Sequence, residues 1–142
     1  MWIDLMEAIS LTDIEGVLGC EYATGKHALS TYPPTTLILL STSRVKIQNS
    51  KVLETIPVVE EDYSYCTSIT KKLFITNPER TICDMIRFNR EERFLYESLE
   101  RYLRRNSNLS NLYSVADHYL LRNKLDKHIL ELPFWMADFY EN

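Results

Sequence analysis

The side chains of this chain whose types could do chemistry are three histidines, three cysteines and a few grouped charges. His27, His118 and His128 have no H-x-x-x-H spacing, and Cys20, Cys66 and Cys83 contain no C-x-x-C pair. Cys20 and His27 could meet across a helix. Two ligands do not make a zinc site, which needs three or four, so each histidine reads as a helix-surface or partly buried structural residue. Glu60-Glu61-Asp62 followed by Lys71 and Lys72 loosely evokes the carboxylate and lysine set of a metal-dependent nuclease. An acidic turn beside a basic strand is the ordinary alternative, and no spaced constellation supports the nuclease. There is no G-x-x-x-x-G-K-(S/T), G-x-G-x-x-G or G-x-S-x-G, and the three glycines all precede residue 26. Loops that cradle phosphate need glycine, so nucleotide enzymes of those classes are not expected. Neither a metal nor a cofactor is expected, and no residue is assigned a catalytic role.

The remaining charged group is Glu79, Arg80 and Asp84, within Phe74-Ile75-Thr76-Asn77-Pro78-Glu79-Arg80-Thr81-Ile82-Cys83-Asp84-Met85-Ile86-Arg87-Phe88. This stretch reads as a strand that stops, a cap and a helix that starts. Phe74 and Ile75 suit a strand. Asn77 is a good N-cap, and Pro78 falls at the first helical position, where its missing N–H costs nothing. Glu79 puts negative charge in the first turn, where the helix dipole favours it. Ile82, Met85 and Ile86 form one apolar stripe, and Arg80 and Asp84, four apart, can pair. Cap, dipole and ion pair thus account for the three charges without catalysis.

What must position them is an α+β chain. At 142 residues, with 45% hydrophobic and 25% charged side chains, it has the makeup of one globular domain, 1–142. The net charge of −4 argues against wholesale electrostatic binding of nucleic acid or anionic membrane. An odd number of cysteines reads as free thiols in a reducing compartment, hence a cytoplasmic location. Met1 to Ser10 carries acidic residues and no basic region, so it is not expected to be a signal peptide, and no apolar run reaches membrane-spanning length.

Residues 1–32 are expected to be a helical lead-in. Trp2, Leu5, Met6 and Ile9 have helical spacing. Thr12 to Glu15 is a capping box for a second helix, carrying Ile14, Val17 and Leu18 and ending at Gly19. A third runs from about Ala23 to Thr31 and stops at Pro33-Pro34. Residues 36–76 read as a mainly antiparallel sheet of about five strands, at 36–40, 44–48, 52–59, 63–69 and 71–76. Helices fill 78–132. Asn89 separates the first from a longer one over about 90–105, with Leu95, Leu99, Tyr102 and Leu103 as its core stripe. Leu112, Ala116, Tyr119 and Leu120 make the next stripe. Leu125, Ile129 and Leu132 make the last, ended by Pro133, with 133–142 as an aromatic tail.

Two sets of residues remain as binding candidates. Over 87–105 six arginines face four glutamates, while the rest of the chain carries ten basic against sixteen acidic residues. Arg90, Arg93, Arg101, Arg104 and Arg105 are therefore the candidate nucleic-acid or partner face. Glu97 with Arg101 and Glu100 with Arg104 offer i,i+4 pairs, so an ordinary solvated helix face is the alternative. Phe134, Trp135, Phe139 and Tyr140 either fold back on the core or dock on a partner.

Thr76-Asn77-Pro78-Glu79-Arg80-Thr81-Ile82-Cys83-Asp84 resembles the T-x-P-E-R-T-(L/I)-x-D signature of the AbiEi family, through Thr76, Pro78, Glu79, Arg80, Thr81 and Asp84. Gly25-Lys26-His27-Ala28-Leu29-Ser30-Thr31-Tyr32 is similar to a small-residue helical segment that the family often carries upstream. The resemblance covers roughly Tyr22 to Arg105. It implies an antitoxin and transcriptional regulator of a type IV toxin–antitoxin, or abortive infection, system, a phage-defence role directed against a nucleotidyltransferase toxin. Such antitoxins pair a winged-helix DNA-binding domain with a C-terminal domain, and the match here is to the latter. The stretch before Tyr22 is too short for a winged helix, so the resemblance does not carry the family's DNA binding over to this chain. Nor does it imply a stable toxin complex. The alternative readings are a non-catalytic interaction module, using the arginine face or the aromatic tail, and the small metal-dependent nuclease.

Overall fold

A computed structural model describes residues 15–32, 36–42 and 53–141. The fold is α+β, with a five-stranded mixed sheet and five helices among these residues. The strands are β1 (Gly16–Leu18), β2 (Leu37–Ser41), β3 (Leu53–Pro57), β4 (Cys66–Ser68) and β5 (Leu73–Thr76). The helices are α1 (Cys20–Lys26), α2 (Pro78–Arg87), α3 (Glu92–Arg105), α4 (Ser110–His118) and α5 (Arg122–Glu141). The sheet order is β3-β2-β1-β5-β4. None of the described helices is long and apolar enough to cross a membrane.

The expected second helix is instead the central strand. Gly16, Val17 and Leu18 are buried, pairing antiparallel with β2 and parallel with β5. Gly16 has φ +147°, outside the helical region, and a Cβ there would meet the Leu40 carbonyl oxygen at 2.7 Å. A short apolar run has no periodicity to separate a buried strand from a buried helix. Thr12 and Ile14, the strand expected at 44–48 and Pro33-Pro34 lie outside the described residues, as do Trp2, Leu5, Met6 and Ile9.

The sheet is also less antiparallel than expected. β1 pairs with β2 and β4 with β5 antiparallel, but β1 with β5 and β2 with β3 are parallel. Inserting β1 between β2 and β5 creates the first parallel pair. The second is compatible with the length of chain between β2 and β3, since parallel neighbours cannot be joined by a tight turn. β2 is buried along its whole length, as an all-apolar strand predicts. The core continues from the sheet through Ile82, Met85, Leu95, Leu99, Leu112, Leu125 and Leu132 of the helices.

Three helices end without glycine in the left-handed closure where glycine is commonest. Ala28, Asn89 and Leu120 take φ of 57°, 54° and 58°. In each, the N–H of that residue and of the next reach back to carbonyls of the last turn, as Asn89 to Ile86 and Arg90 to Met85 do at 3.2 and 2.9 Å. The spacing of Leu120 predicts a core position, but the closure after α4 turns it outward to 91% exposure, and Leu121 takes the buried position. The helix expected over 23–31 starts earlier, at Cys20, and its closure uses Ala28 and Leu29.

Pro133 does not end its helix: α5 runs through it. An interior proline removes one hydrogen bond and strains the preceding turn, by about 3 kcal/mol. Pro133 lies on the exposed side, while nearby residues of the same helix are packed. Leu132 is buried, and the Trp135 ring stacks on Tyr96 at 5.2 Å.

Candidate functional site

The strand-to-helix junction forms because each of its residues satisfies a local need. The Asn77 side chain accepts from the Arg80 N–H at 2.8 Å and caps α2, with Pro78 at the first turn. Thr81 donates its hydroxyl to the Asn77 carbonyl at 2.6 Å, which leaves its oxygen to accept from Thr76, also at 2.6 Å. Glu79 accepts from the Tyr102 hydroxyl at 2.7 Å and so ties α2 to α3. On the other side, His27 donates Nε2–H to the Thr76 carbonyl at 2.7 Å.

Arg80 is the centre of this junction and is 1% exposed. Its Nε donates to Asp84 at 3.1 Å. Its Nη1 donates to the carbonyls of Asp62 and Ser64 at 2.7 and 2.8 Å and lies 3.1 Å from the Cys66 sulfur. The guanidinium sits 5.7 Å from the centre of the Tyr119 ring, and Tyr119 donates its hydroxyl to Asp62 at 2.6 Å. Arg80 therefore joins α2, the loop 58–65 and the end of α4. Nothing in the spacing of Asp62, Ser64 or Tyr119 predicts these contacts, because they come from distant parts of the chain.

The charges follow from that geometry. Burial raises the Asp62 carboxyl, but hydrogen bonds from Tyr119 and Ser64 and the nearby Arg80 charge outweigh it and bring it down to about 2. Asp84 is fully buried, and desolvation pushes its carboxyl up while Arg80 and Arg87 pull it down. Its Oδ1 has no hydrogen-bond partner among the described residues, with Arg87 Nε 3.6 Å away. Burial raises the Cys66 thiol to about 11, against the Arg80 charge. The cavity bordered by Arg80 and Arg87 is about 10 Å³, no more than the room of a water molecule. With its guanidinium engaged by Asp84 and by the carbonyls of Asp62 and Ser64, the buried Arg80 ties α2 to the loop 58–65.

The acidic turn is similarly engaged. Glu61 accepts from Thr42 and Tyr63 at 3.2 and 2.6 Å, Asp62 accepts from Tyr119 and Ser64, and Lys72 pairs with Glu15 at 3.4 Å. Among the described residues no group of three or more His, Cys, Asp or Glu side chains comes together to hold a metal ion.

The arginine face divides. Arg90 leaves it: its guanidinium grips Glu21 at 2.8 Å and Glu54 at 2.6 Å, fastening the start of α3 to α1 and β3. α3 begins only at Glu92, so residue 90 is not on the helical wheel that its spacing implied. Arg101 and Arg105 donate to the Ala28 carbonyl at 3.3 and 2.8 Å, completing the end of α1. Arg104 pairs with Glu100 as expected, whereas Glu97 accepts from the Thr31 amide and hydroxyl instead. Arg93 lies over the Phe94 ring at 5.6 Å.

The tail divides too. Trp135 packs at home on Tyr96, which also meets His128 Nδ1 and Glu131 at 2.9 and 3.1 Å, while Phe134 stays 76% exposed. The side chains of Phe139 and Tyr140 lie outside the described residues. One depression brings the two sets together. Arg93, Glu97, Glu100, Arg101 and Arg104 of α3 and Trp135 and Met136 of α5 line a notch of about 110 Å³.

A scan of the chain against protein-family models finds no match, and no curated protein matches it.

Proposed function

We propose that this chain is the antitoxin-type domain of a type IV toxin–antitoxin system, a cytoplasmic, non-catalytic regulator that counteracts a nucleotidyltransferase toxin. The observation that supports the reading is the contact between the two stretches that carry the AbiEi resemblance. His27, in Gly25 to Tyr32, donates to the carbonyl of Thr76, the first residue of the signature. The signature residues also have reasons to hold their types and spacing: a cap, a paired hydroxyl, a tie to α3 and a buried arginine. Such a junction serves function through the shape it maintains.

The test is growth rescue. The chain is expressed together with the nucleotidyltransferase encoded beside its gene, and growth is compared with the toxin alone. Recovery of growth in the presence of the folded chain is the expected result. Growth arrest that persists beside a folded, soluble chain, or a gene without a nucleotidyltransferase neighbour, overturns the reading. A gel-shift titration with the DNA upstream of the gene, at rising salt, reports separately on regulation through DNA.

A further inference from the structure

The loop after β3 and the notch between α3 and α5 carry complementary chemistry on one molecule. In the loop, Val58 packs inward against the core, and Val59, the next residue, stands 98% exposed. Glu60 follows it, also exposed. The loop is held: Thr42 and Tyr63 fix Glu61, while Tyr119, Ser64 and Arg80 fix Asp62. An aliphatic side chain and a carboxylate are thus displayed side by side between hydrogen-bonded Val58 and Glu61, which reduces the entropy lost on docking.

The notch offers the opposite surface. Trp135 and Met136 give it an apolar wall. Its carboxylates are spoken for, Glu97 by Thr31 and Glu100 by Arg104. Among the described residues, Arg93 is exposed and has an aromatic ring but no carboxylate as its partner. The volume suits one aliphatic side chain with a neighbouring carboxylate at the rim. A phosphodiester backbone would bring repeated negative charge against Glu97 and Glu100, so a peptide fits better.

Pro57 to Asp62 border a shallow depression that Arg87, Phe88 and His118 complete. Four residues separate Phe88 from Arg93, so their Cα atoms are at most about 18 Å apart. We propose that a second copy of this chain occupies the notch. Val59 of each copy lies on Trp135 and Met136 of the other, and Glu60 of each meets Arg93 of the other. A two-fold pair makes this contact twice and closes on itself, whereas a head-to-tail arrangement would continue into a chain. The contact area is small, so the dimer is weak and forms with rising concentration. The proposal stands apart from the antitoxin reading and does not depend on it.

Sedimentation velocity on the full chain, from low micromolar to near-millimolar concentration, tests it with three variants. Both positions are exposed, so folding is expected to be unaffected, and circular dichroism checks this. The wild type is expected to move from monomer to dimer. Glu60→Arg and Arg93→Glu are each expected to weaken the dimer by on the order of tenfold or more, because like charges then face each other. The double variant, Glu60→Arg with Arg93→Glu, is expected to dimerise again, since each contact regains opposite charges. A wild type that stays monomeric throughout overturns the proposal, even if it binds an acidic peptide or DNA. So does a dimer that survives both single changes, which would assign it to another face such as exposed Leu130 and Phe134. A double variant that stays monomeric also overturns it.

Discussion

At the β5–α2 junction Arg80 is 1% exposed and its guanidinium meets one carboxylate, two carbonyls and a sulfur. On α3 Arg104 has 70% of its side chain exposed, and its ion-pair partner among the described residues, Glu100, is a turn back on the same helix. Both arginines form an i,i+4 pair with an acid, so local spacing does not distinguish them. What differs is the surroundings. The buried pair has no water to fall back on, so losing one partner leaves an uncompensated charge or unsatisfied polar group. The exposed pair exchanges its contact for water at little cost.

Arg80→Ala should therefore have the largest effect, a loss of about 3–5 kcal/mol in a urea titration, a large part of the stability of a chain this size. A loss below about 1 kcal/mol would break the comparison, because Arg80 would then behave as a surface residue. Tyr119→Phe tests the far end of the same network. Removing a hydroxyl that donates to the Asp62 carboxylate should cost about 1.5–3 kcal/mol, measured the same way.

Acid sharpens the point. The Asp62 carboxyl is held at about 2 in the fold, against about 3.9 in an unfolded chain. A depressed acid contributes its stability in full above the unfolded value and loses it as pH falls towards the folded value. Thermal melts between about pH 4 and pH 2 should show that loss in the wild type and a smaller one in Tyr119→Phe.

Leu120→Gly should move stability the other way. Leu120 is 91% exposed at φ 58°, so glycine relieves a left-handed backbone without emptying the core. A gain of about 1 kcal/mol is expected by urea titration. An unchanged midpoint would mean that the α4 closure carries no strain. Arg104→Ala closes the series with a loss of about 0–1 kcal/mol that disappears at high salt. A larger, salt-independent loss would place the α3 face in the same structural class as Arg80.

Legibility followed the range of the interactions. The cap at Asn77, Pro78 in the first turn, the Arg80–Asp84 pair and the stop near Asn89 are local, and residue types at fixed spacing specify them. Gly16 to Leu18 resembles helix in sequence because so short an apolar run carries no period, and only pairing with β2 and β5 makes it a strand. Pro133 resembles a stop because its intrinsic penalty is local, whereas the packing of Leu132 and Trp135 is tertiary. Leu120 has core spacing, but a closure after α4 turns the chain there and spacing does not encode it. At the site, the signature residues were legible, but Asp62, Ser64 and Tyr119 were not, and the union of the α3 arginines with Trp135 was not.

By itself, then, the sequence determined the α+β class, the β5–α2 junction and the identity of the buried ion pair, since these rest on propensity, capping and i,i+4 spacing. The tertiary structure decided the order of the strands, which arginines are buried and which remain at the surface, and what the loop 57–61 and the α3–α5 notch expose. Those depend on contacts between residues far apart in the chain, whose strength comes from burial, and burial exists only once the chain has folded.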